Sequence, residues 1–340
     1  MLSLIAAAHL APGTFLAIVA ASAIAGTTTA LAAGRGLVLP VVVDELLLGI
    51  ALGPRALGLH VTELISFFAD LGLGLLFFFA GYEIDMRRIA GRPLWLALGG
   101  WAMSLALAYT IGGLLAAAGV VLSLLYTGSA LATTAVGTLI PILTDSGDLR
   151  TRFGSYLLAA GAVGEFGPIL LITLILSTQS TLHNALILVA FVALAVGVAV
   201  LAVRSSARTL PLLERTLETS SQLAVRWIIV LVFALALLAF ELGLDLLLGG
   251  FAAGLITRQV LNTREVPAFD SKLAAIAFGV FVPFFFVTSG MSLDIDAPFS
   301  SISGVAKMLA FVLLFLVVRG TLPCCSTAAR SMVATVSRSR

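Results

Sequence analysis

Glu165 is a carboxylic acid in a stretch of sequence that otherwise carries no charge. It is the only residue with a formal charge at pH 7 between Arg152 and Arg204, and it lies in the segment GAVGEFGP, residues 161–168. If this stretch is helical in a membrane, a charge at that depth is costly and is placed in a cavity or against other helices. A carboxyl group that holds either a proton or a cation there would suit a proton-coupled carrier. The alternative is a protonated glutamic acid that hydrogen-bonds a neighbouring helix and contributes only to packing.

The residues beside Glu165 favour close contact on one side of its helix. Gly161, Gly164 and Gly167 recur at helical spacing and leave room for another backbone or a small ion. Pro168 has no backbone N–H, so it removes one helical hydrogen bond just beyond the carboxyl group. We therefore expect Glu165 to line the interior of a helix bundle.

The apolar run before Glu165 is rich in residues that interrupt a helix. It reads YTGSALATTAVGTLIPILTD from Tyr126 to Asp145, and the interrupting residues are Thr127, Gly128, Ser129, Thr133, Thr134, Gly137, Thr138 and Pro141. A broken helix at membrane depth is tolerated where its backbone lines a cavity, and its carbonyl groups can then coordinate a cation. The alternative is that each threonine hydroxyl bonds back to the preceding turn, as is common in membrane helices. Next to Glu165, we favour an ion site that includes Thr133 and Thr134.

Other polar residues are weaker candidates for chemistry. Asp44 and Glu45 lie in an apolar run and are interpreted as structural or gating residues, and Arg319 is expected to extend toward the membrane surface from the last apolar run. The histidines are scattered, and neither a Ser/His/Asp set nor a glycine-rich phosphate loop is evident in the sequence. Enzyme chemistry therefore has no candidate site, and no cofactor is implied. No basic patch with interleaved aromatic residues indicates nucleic acid.

The composition requires a lipid environment for these segments. Hydrophobic residues make up 60% of the 340 residues and charged residues 11%, with a mean hydropathy of +1.15. Soluble domains carry about 25% charged residues, so this chain cannot cover itself with polar surface. A helix needs about 20 apolar residues to span a bilayer. The predicted fold class is therefore an all-α polytopic membrane protein.

Apolar runs bounded by Gly, Pro and charged residues predict about eleven spans. They lie at roughly residues 13–33, 37–53, 62–84, 93–118, 120–144, 153–177, 183–203, 222–242, 244–257, 268–292 and 299–320. The loops after the odd-numbered spans hold most of the basic residues, namely Arg35, Arg87, Arg88, Arg92, Arg150, Arg152, Arg204, Arg208, Arg215, Arg226, Arg258, Arg264 and Lys272. The positive-inside rule places these loops in the cytoplasm and the N-terminus outside the cell membrane.

Two pairs of segments resemble each other and occur in the same order. DELLLGIALG (44–53) resembles LDLLLGGFAAG (244–254), and LLFFFAGYEID (75–85) resembles VPFFFVTSGMSLD (282–294). An odd number of spans separates the partners, so the second copy is inverted in the membrane, a construction typical of secondary transporters. We predict a first repeat over 13–177, a linking helix and cytoplasmic loop over 178–221, and an incomplete second repeat over 222–323.

The last residues, 324–340, differ from the rest of the chain in composition. Small hydroxyl residues and Arg alternate in CCSTAARSMVATVSRSR without helical periodicity. We interpret this segment as an aberrant tail that results from a change of reading frame near Pro323, so that the second repeat lacks its final helices. The alternative is a disordered basic tail in the cytoplasm.

Five motifs resemble, in order, signatures of the Kef-type and NapA-like monovalent cation:proton antiporters. They are DELLLGIALGPRALGL, ADLGLGLLFFFAGYEID, ATTAVGTLIPILTDSG, LGGFAAGL and FFFVTSGMSLD. The resemblance extends to about Pro323 and implies an inverted-repeat antiporter fold with discontinuous helices, a homodimer, and two broken helices that cross near the ion site. It places Thr133 and Thr134 at the first break and Glu165 at the position of the aspartate that carries the ion and the proton. Arg319 matches the basic residue on the helix before the second broken one.

The same resemblance implies a secondary transporter that exchanges Na+ or K+ for protons, and the choice of cation is left open. Where the family often has Asp-Asp or Asn-Asp, this chain has Gly164-Glu165, and a single carboxylate favours electroneutral exchange of one cation per proton. The second broken helix is expected to be missing. Two alternatives stay open: a Kef-type gated K+ efflux channel, and an inactive truncated fragment of an antiporter.

Overall fold

The computed structural model describes residues 11–36, 39–84, 91–121, 123–135, 139, 142–144, 146–149, 151–175, 181–216, 219, 221–261 and 267–338. Within these ranges every regular element is a helix, which confirms the all-α class. Seven of the described helices are long and apolar enough to cross a membrane. The residues divide into two compact units, and each unit draws helices from both halves of the sequence.

Unit 1 comprises residues 1–85, 137–149 and 179–293. Its helices are α1 (Pro12–Ala33), α2 (Val41–Leu52), α3 (Glu63–Glu83), α7 (Thr181–Thr216), α8 (Leu223–Glu241), α9 (Leu246–Leu261), α10 (Pro267–Ile276) and α11 (Val282–Met291). A π turn, Ala277–Phe281, joins α10 to α11 in one continuous span. Pro283 lies in the first turn of α11 and has no N–H, and the π turn before it accommodates the missing donor.

Glycines let helices of unit 1 approach each other backbone to backbone. A methyl group placed on Gly254 of α9 would lie 2.6 Å from the backbone nitrogen of Tyr82 in α3. A methyl group on Gly290 of α11 would lie 3.0 Å from the Cα atom of Gly49 in α2. Side chains at these positions would overlap the facing backbone, and small residues are the usual means of close helix packing in membranes. We call the α3–α9 and α2–α11 contacts the glycine seams.

Aromatic rings fill the space beside the seams. Phe15 of α1, Phe68 of α3 and Phe284 of α11 contact one another with ring centroids 4.8–5.3 Å apart. At another point on α3, the Tyr82 hydroxyl donates a hydrogen bond to Asp270 at 2.6 Å. Buried and partly buried aromatic groups of this kind contribute large apolar contact areas to the interior of unit 1.

Unit 2 comprises residues 86–136, 150–178 and 294–340. Its helices are α4 (Arg92–Ala117), α5 (Leu124–Ala132), α6 (Arg152–Ile175), α12 (Asp296–Phe299) and α13 (Ile302–Arg338). α4 packs against α5, α6 and α13. It therefore supports the three helices that carry the predicted ion-site residues.

The described helices follow most of the predicted spans to within a few residues. The C-terminal ends of α5, α7 and α13 differ from the prediction. α5 covers only the start of the span predicted at 120–144, because the helix stops at Thr133; Gly137, Thr138, Pro141 and Asp145 lie outside the described residues. α7 continues to Thr216, beyond the predicted end at 203. Its last turns contain Arg, Leu and Glu, which have good helix propensity, but also Pro211, which does not.

The C-terminal segment, which we interpreted as an aberrant tail without helical periodicity, is helical. α13 runs through Pro323 to Arg338 as one element. Periodicity reports which face of a helix is buried, so its absence does not exclude a helix. The Ala, Met and Arg residues of this segment have good helix propensity, although its Ser, Thr, Val and Cys residues do not.

Candidate ion-binding site

Helix α5 ends inside unit 2, and Thr133 supplies donors to the carbonyl groups at its end. Thr133 leaves the helical conformation, with φ −77° and ψ 149°. Its backbone N–H donates to the Ala130 carbonyl at 3.3 Å, and its hydroxyl donates to the Ser129 carbonyl at 2.8 Å. The break thus lies within the segment expected to interrupt the helix, and the back-bonding described as the alternative occurs as well. A hydroxyl group that donates its proton still has oxygen lone pairs to offer a cation.

Thr134 connects the end of α5 to both α6 and α13. Its backbone N–H donates to the Gly164 carbonyl oxygen of α6 at 3.0 Å. Its hydroxyl oxygen accepts a hydrogen bond from the Arg319 guanidinium group of α13. Three elements that are distant in sequence therefore meet at one residue. We call Thr133, Thr134, Gly164, Glu165 and Arg319 the break cluster.

Gly164 leaves the space that the two polar groups occupy. A methyl group placed on it would overlap the Thr134 hydroxyl and lie 3.1 Å from Arg319 Nη2. The room predicted beside Glu165 is thus present, but at this position side chains of the protein fill it. Glu165 is the next residue on α6 and is partly buried.

Arg319 does not take the direction expected from its position in the sequence. We expected it to extend to the membrane surface, but it is partly buried and its guanidinium group bonds to Thr134. The C-terminal end of a helix carries a partial negative charge that favours cations, and α5 ends directly before this contact. A hydroxyl acceptor beside a helix C-terminus therefore offers the guanidinium a polar partner inside the unit.

The electrostatics of the break cluster combine one fixed charge with one titratable group. Arg319 stays positive, because a guanidinium group does not lose its proton in proteins. Glu165 can be charged or protonated, and the end of α5 adds a partial negative charge.

Sequence reasoning missed the residues of α4 that support the cluster. The Ser104 hydroxyl donates to the Val318 carbonyl at 3.1 Å, beside Arg319, and the Tyr109 and Ser129 hydroxyls lie 3.0 Å apart. The Trp101 ring covers Gly167, where an added methyl group would lie 2.6 Å from Cε2. The available signal was the presence of polar groups in an otherwise apolar span. It was weak because the residues that they contact are distant in sequence.

Asp44 and Glu45 belong to unit 1 and form a separate feature of α2. The Asp44 Oδ2 atom accepts hydrogen bonds from the Thr28 and Thr29 hydroxyls of α1 at 2.6 and 3.3 Å. Glu45 is only 3% exposed, on the same face of α2 as Gly49 of the glycine seam. Asp44 therefore ties α1 to α2, and Glu45 is a carboxyl group buried beside the α2–α11 contact.

The fold and the break cluster define a polytopic helical membrane protein with a discontinuous helix beside a partly buried carboxyl group. The profile of the transmembrane sodium/hydrogen exchanger family matches residues 17–325, and the chain belongs to this family. The family relation that the motifs suggested is therefore confirmed.

Several named relatives are similar over most of the chain. The Na+/H+-K+ antiporter GerN of Bacillus cereus is 28% identical over 290 residues, which are 82% of this chain and 70% of GerN. A Na+/H+ antiporter of Enterococcus hirae is 26% identical, over 82% of this chain and 72% of its own length. The probable Na+/H+ antiporter 3 of Methanocaldococcus jannaschii is 26% identical, over 77% and 68% of the two chains.

Proposed function

We propose that this protein is a secondary transporter that exchanges a monovalent cation, Na+ or K+, for protons. Family membership and the names of the relatives support the class of reaction. The observation that carries the proposal for this chain is the junction of the α5 break, α6 and Arg319 at Thr134, one residue from Glu165. We infer that the hydroxyl oxygens, the helix C-terminus and the fixed positive charge at this junction act together with the Glu165 carboxyl group.

Glu165 carries the proton and the cation alternately in this mechanism. Only one of the two ions can occupy the carboxylate at a time, so their competition couples the two transport steps. The hydroxyl oxygens of Thr133 and Thr134 are the candidate neutral ligands, because both residues lie where the helix is interrupted. Arg319 offsets the negative charge of Glu165 in the empty site and disfavours the binding of a second cation.

We propose that the exchange is electroneutral, with one cation per proton. The break cluster has the same net charge whether Glu165 holds a proton or a monovalent cation. The two transport steps therefore move equal charge in opposite directions, and a complete cycle moves none.

The inverted repeat, the homodimer and the outward N-terminus are parts of the same proposal. The glycine seams support the repeat, because α3 pairs with α9 and α2 pairs with α11. In the predicted repeat α2 corresponds to α9 and α3 to α11. The repeat therefore relates the α2–α11 seam to the α3–α9 seam, and the two seams are equivalent contacts. The homodimer rests on the family resemblance, and the orientation in the cell membrane rests on the distribution of basic residues.

Cation-driven proton movement in everted membrane vesicles tests the proposal. We expect the unsubstituted chain to dissipate a pH gradient when Na+ or K+ is added. Glu165→Gln keeps the shape of the side chain but cannot ionise, so the signal should fall to that of vesicles without the protein. Glu63→Gln is the matched control: this exposed carboxyl group lies in the first turn of α3 in unit 1, and its loss should leave exchange unchanged.

The possible outcomes distinguish a failure of the proposed site from a failure of the proposed function. Full exchange by Glu165→Gln would remove Glu165 from the mechanism while leaving the antiporter class intact. No exchange by the unsubstituted chain, although it is present in the membrane, would overturn the proposed function. Conductance far above carrier rates would instead favour a gated channel.

A further inference from the structure

Pro168 lies inside α6, one helical turn after Gly164. It is almost fully buried and is the proline within this helix. In a regular helix the N–H of residue 168 would donate to the Gly164 carbonyl. Proline has no N–H, and its ring also crowds the carbonyl group four residues earlier. The Gly164 carbonyl therefore loses its helical donor and is available to another.

The donor that this carbonyl receives is the N–H of Thr134, at 3.0 Å. Thr134 follows the end of α5, so its N–H is outside the helical hydrogen-bond pattern as well. Inside a membrane protein an unpaired backbone group is costly, because no lipid atom can bond to it. The donor freed by the α5 break and the acceptor freed by Pro168 pair with each other.

We propose that Pro168 is a positioning residue for ion exchange, which acts through the Gly164 carbonyl on the α5 break. It fixes Thr134, and with it the Arg319 contact, one residue from Glu165. The inference rests on the proposed exchange function and adds to it the reason for a proline in this helix. Without Pro168, α6 would keep its regular hydrogen bonds and the break would lose its anchor.

Pro168→Ala tests this role, because alanine at this position supplies the missing N–H and competes with Thr134 for the Gly164 carbonyl. Loss of a hydrogen bond that orders the site should raise the apparent KM for the cation about tenfold. The maximal rate should change less than twofold. Alanine is a better helix former than proline, and this gain offsets the cost of the Thr134 N–H that loses its acceptor, so the melting temperature of the purified protein should change little. A residue needed only for packing would give the opposite: lower stability and unchanged KM.

Pro93→Ala is the matched control for proline substitution. Pro93 lies in the first turn of α4, where a missing N–H breaks no helical hydrogen bond, so neither KM nor melting temperature should change. An unchanged KM in Pro168→Ala, with Glu165→Gln inactive, would overturn the positioning role and leave the proposed function standing. Failure of Pro168→Ala to fold would also overturn it.

A second pair of variants tests the hydrogen bond without transport. Thr134→Pro removes the N–H, and Thr133 already has the extended angles that a residue before proline adopts. Relative to Thr134→Ala, which loses only the hydroxyl, Thr134→Pro should melt at a lower temperature. Adding Pro168→Ala should recover at least half of that loss, because the N–H restored at position 168 then satisfies the Gly164 carbonyl. Additive effects of the two substitutions would show that the two backbone groups are not coupled.

Discussion

The Thr134 hydroxyl and the Arg319 guanidinium group occupy the side of Gly164 where any other residue would carry its Cβ atom. Gly164→Ala would force one of these groups to move, and overpacking of this kind costs about 1–3 kcal/mol. We expect exchange in vesicles to fall at least tenfold. Gly99→Ala in α4 is the control, because a methyl group there meets nothing within 4 Å. Equal activity of the two variants would contradict the tight contact at Gly164.

Residue type selected some members of the candidate site, whereas long-range contacts determine the others. Glu165 could be selected because a single charge in an apolar stretch is costly, and Thr133 because hydroxyl residues and glycines weaken a membrane helix. The direction of Arg319 could not be derived, because it depends on an acceptor that is far away in the sequence. The supporting role of Ser104 was hidden for the same reason.

At the scale of helices, the glycine seams set the distance between α3 and α9. A methyl group on Gly254 would overlap the Phe78 carbonyl oxygen and lie 2.6 Å from the backbone nitrogen of Tyr82. We expect Gly254→Ala to destabilise unit 1 by about 1–3 kcal/mol, since facing backbones cannot shift as a flexible side chain can. Thermal unfolding in detergent measures this effect.

Gly197→Ala in α7 is the control for helix propensity, because its methyl group meets nothing within 4 Å. It should leave the melting temperature unchanged or raise it slightly. If Gly254→Ala melted at the same temperature as Gly197→Ala, the α3–α9 seam would not limit stability.

Hydropathy located the helices well, because burial in lipid demands a continuous apolar run. The ends of the helices were less predictable. α7 continues to Thr216 through a polar segment, and α13 passes Pro323. Both extensions contain a proline, Pro211 and Pro323, among residues of good helix propensity, so neither the apolar pattern nor propensity locates these helix ends.

At the scale of the whole molecule, the proposed one-to-one exchange makes transport insensitive to membrane voltage. In proteoliposomes with equal pH on both sides, cation uptake should proceed at the same rate with and without an imposed potential. A solid-supported membrane should record no transported charge when the cation is added. A current that scales with voltage would rule out one cation per proton.

The glycine seams also have a consequence for how the chain is synthesised. Gly49 and Gly290 are contact partners, yet about 240 residues must be added between them, which takes the ribosome about 12–50 s at its usual speed. During that interval α2 and α3 are in the bilayer with small-residue faces that no partner covers. The membrane insertion machinery must keep these two helices from pairing with other chains until α9 and α11 emerge.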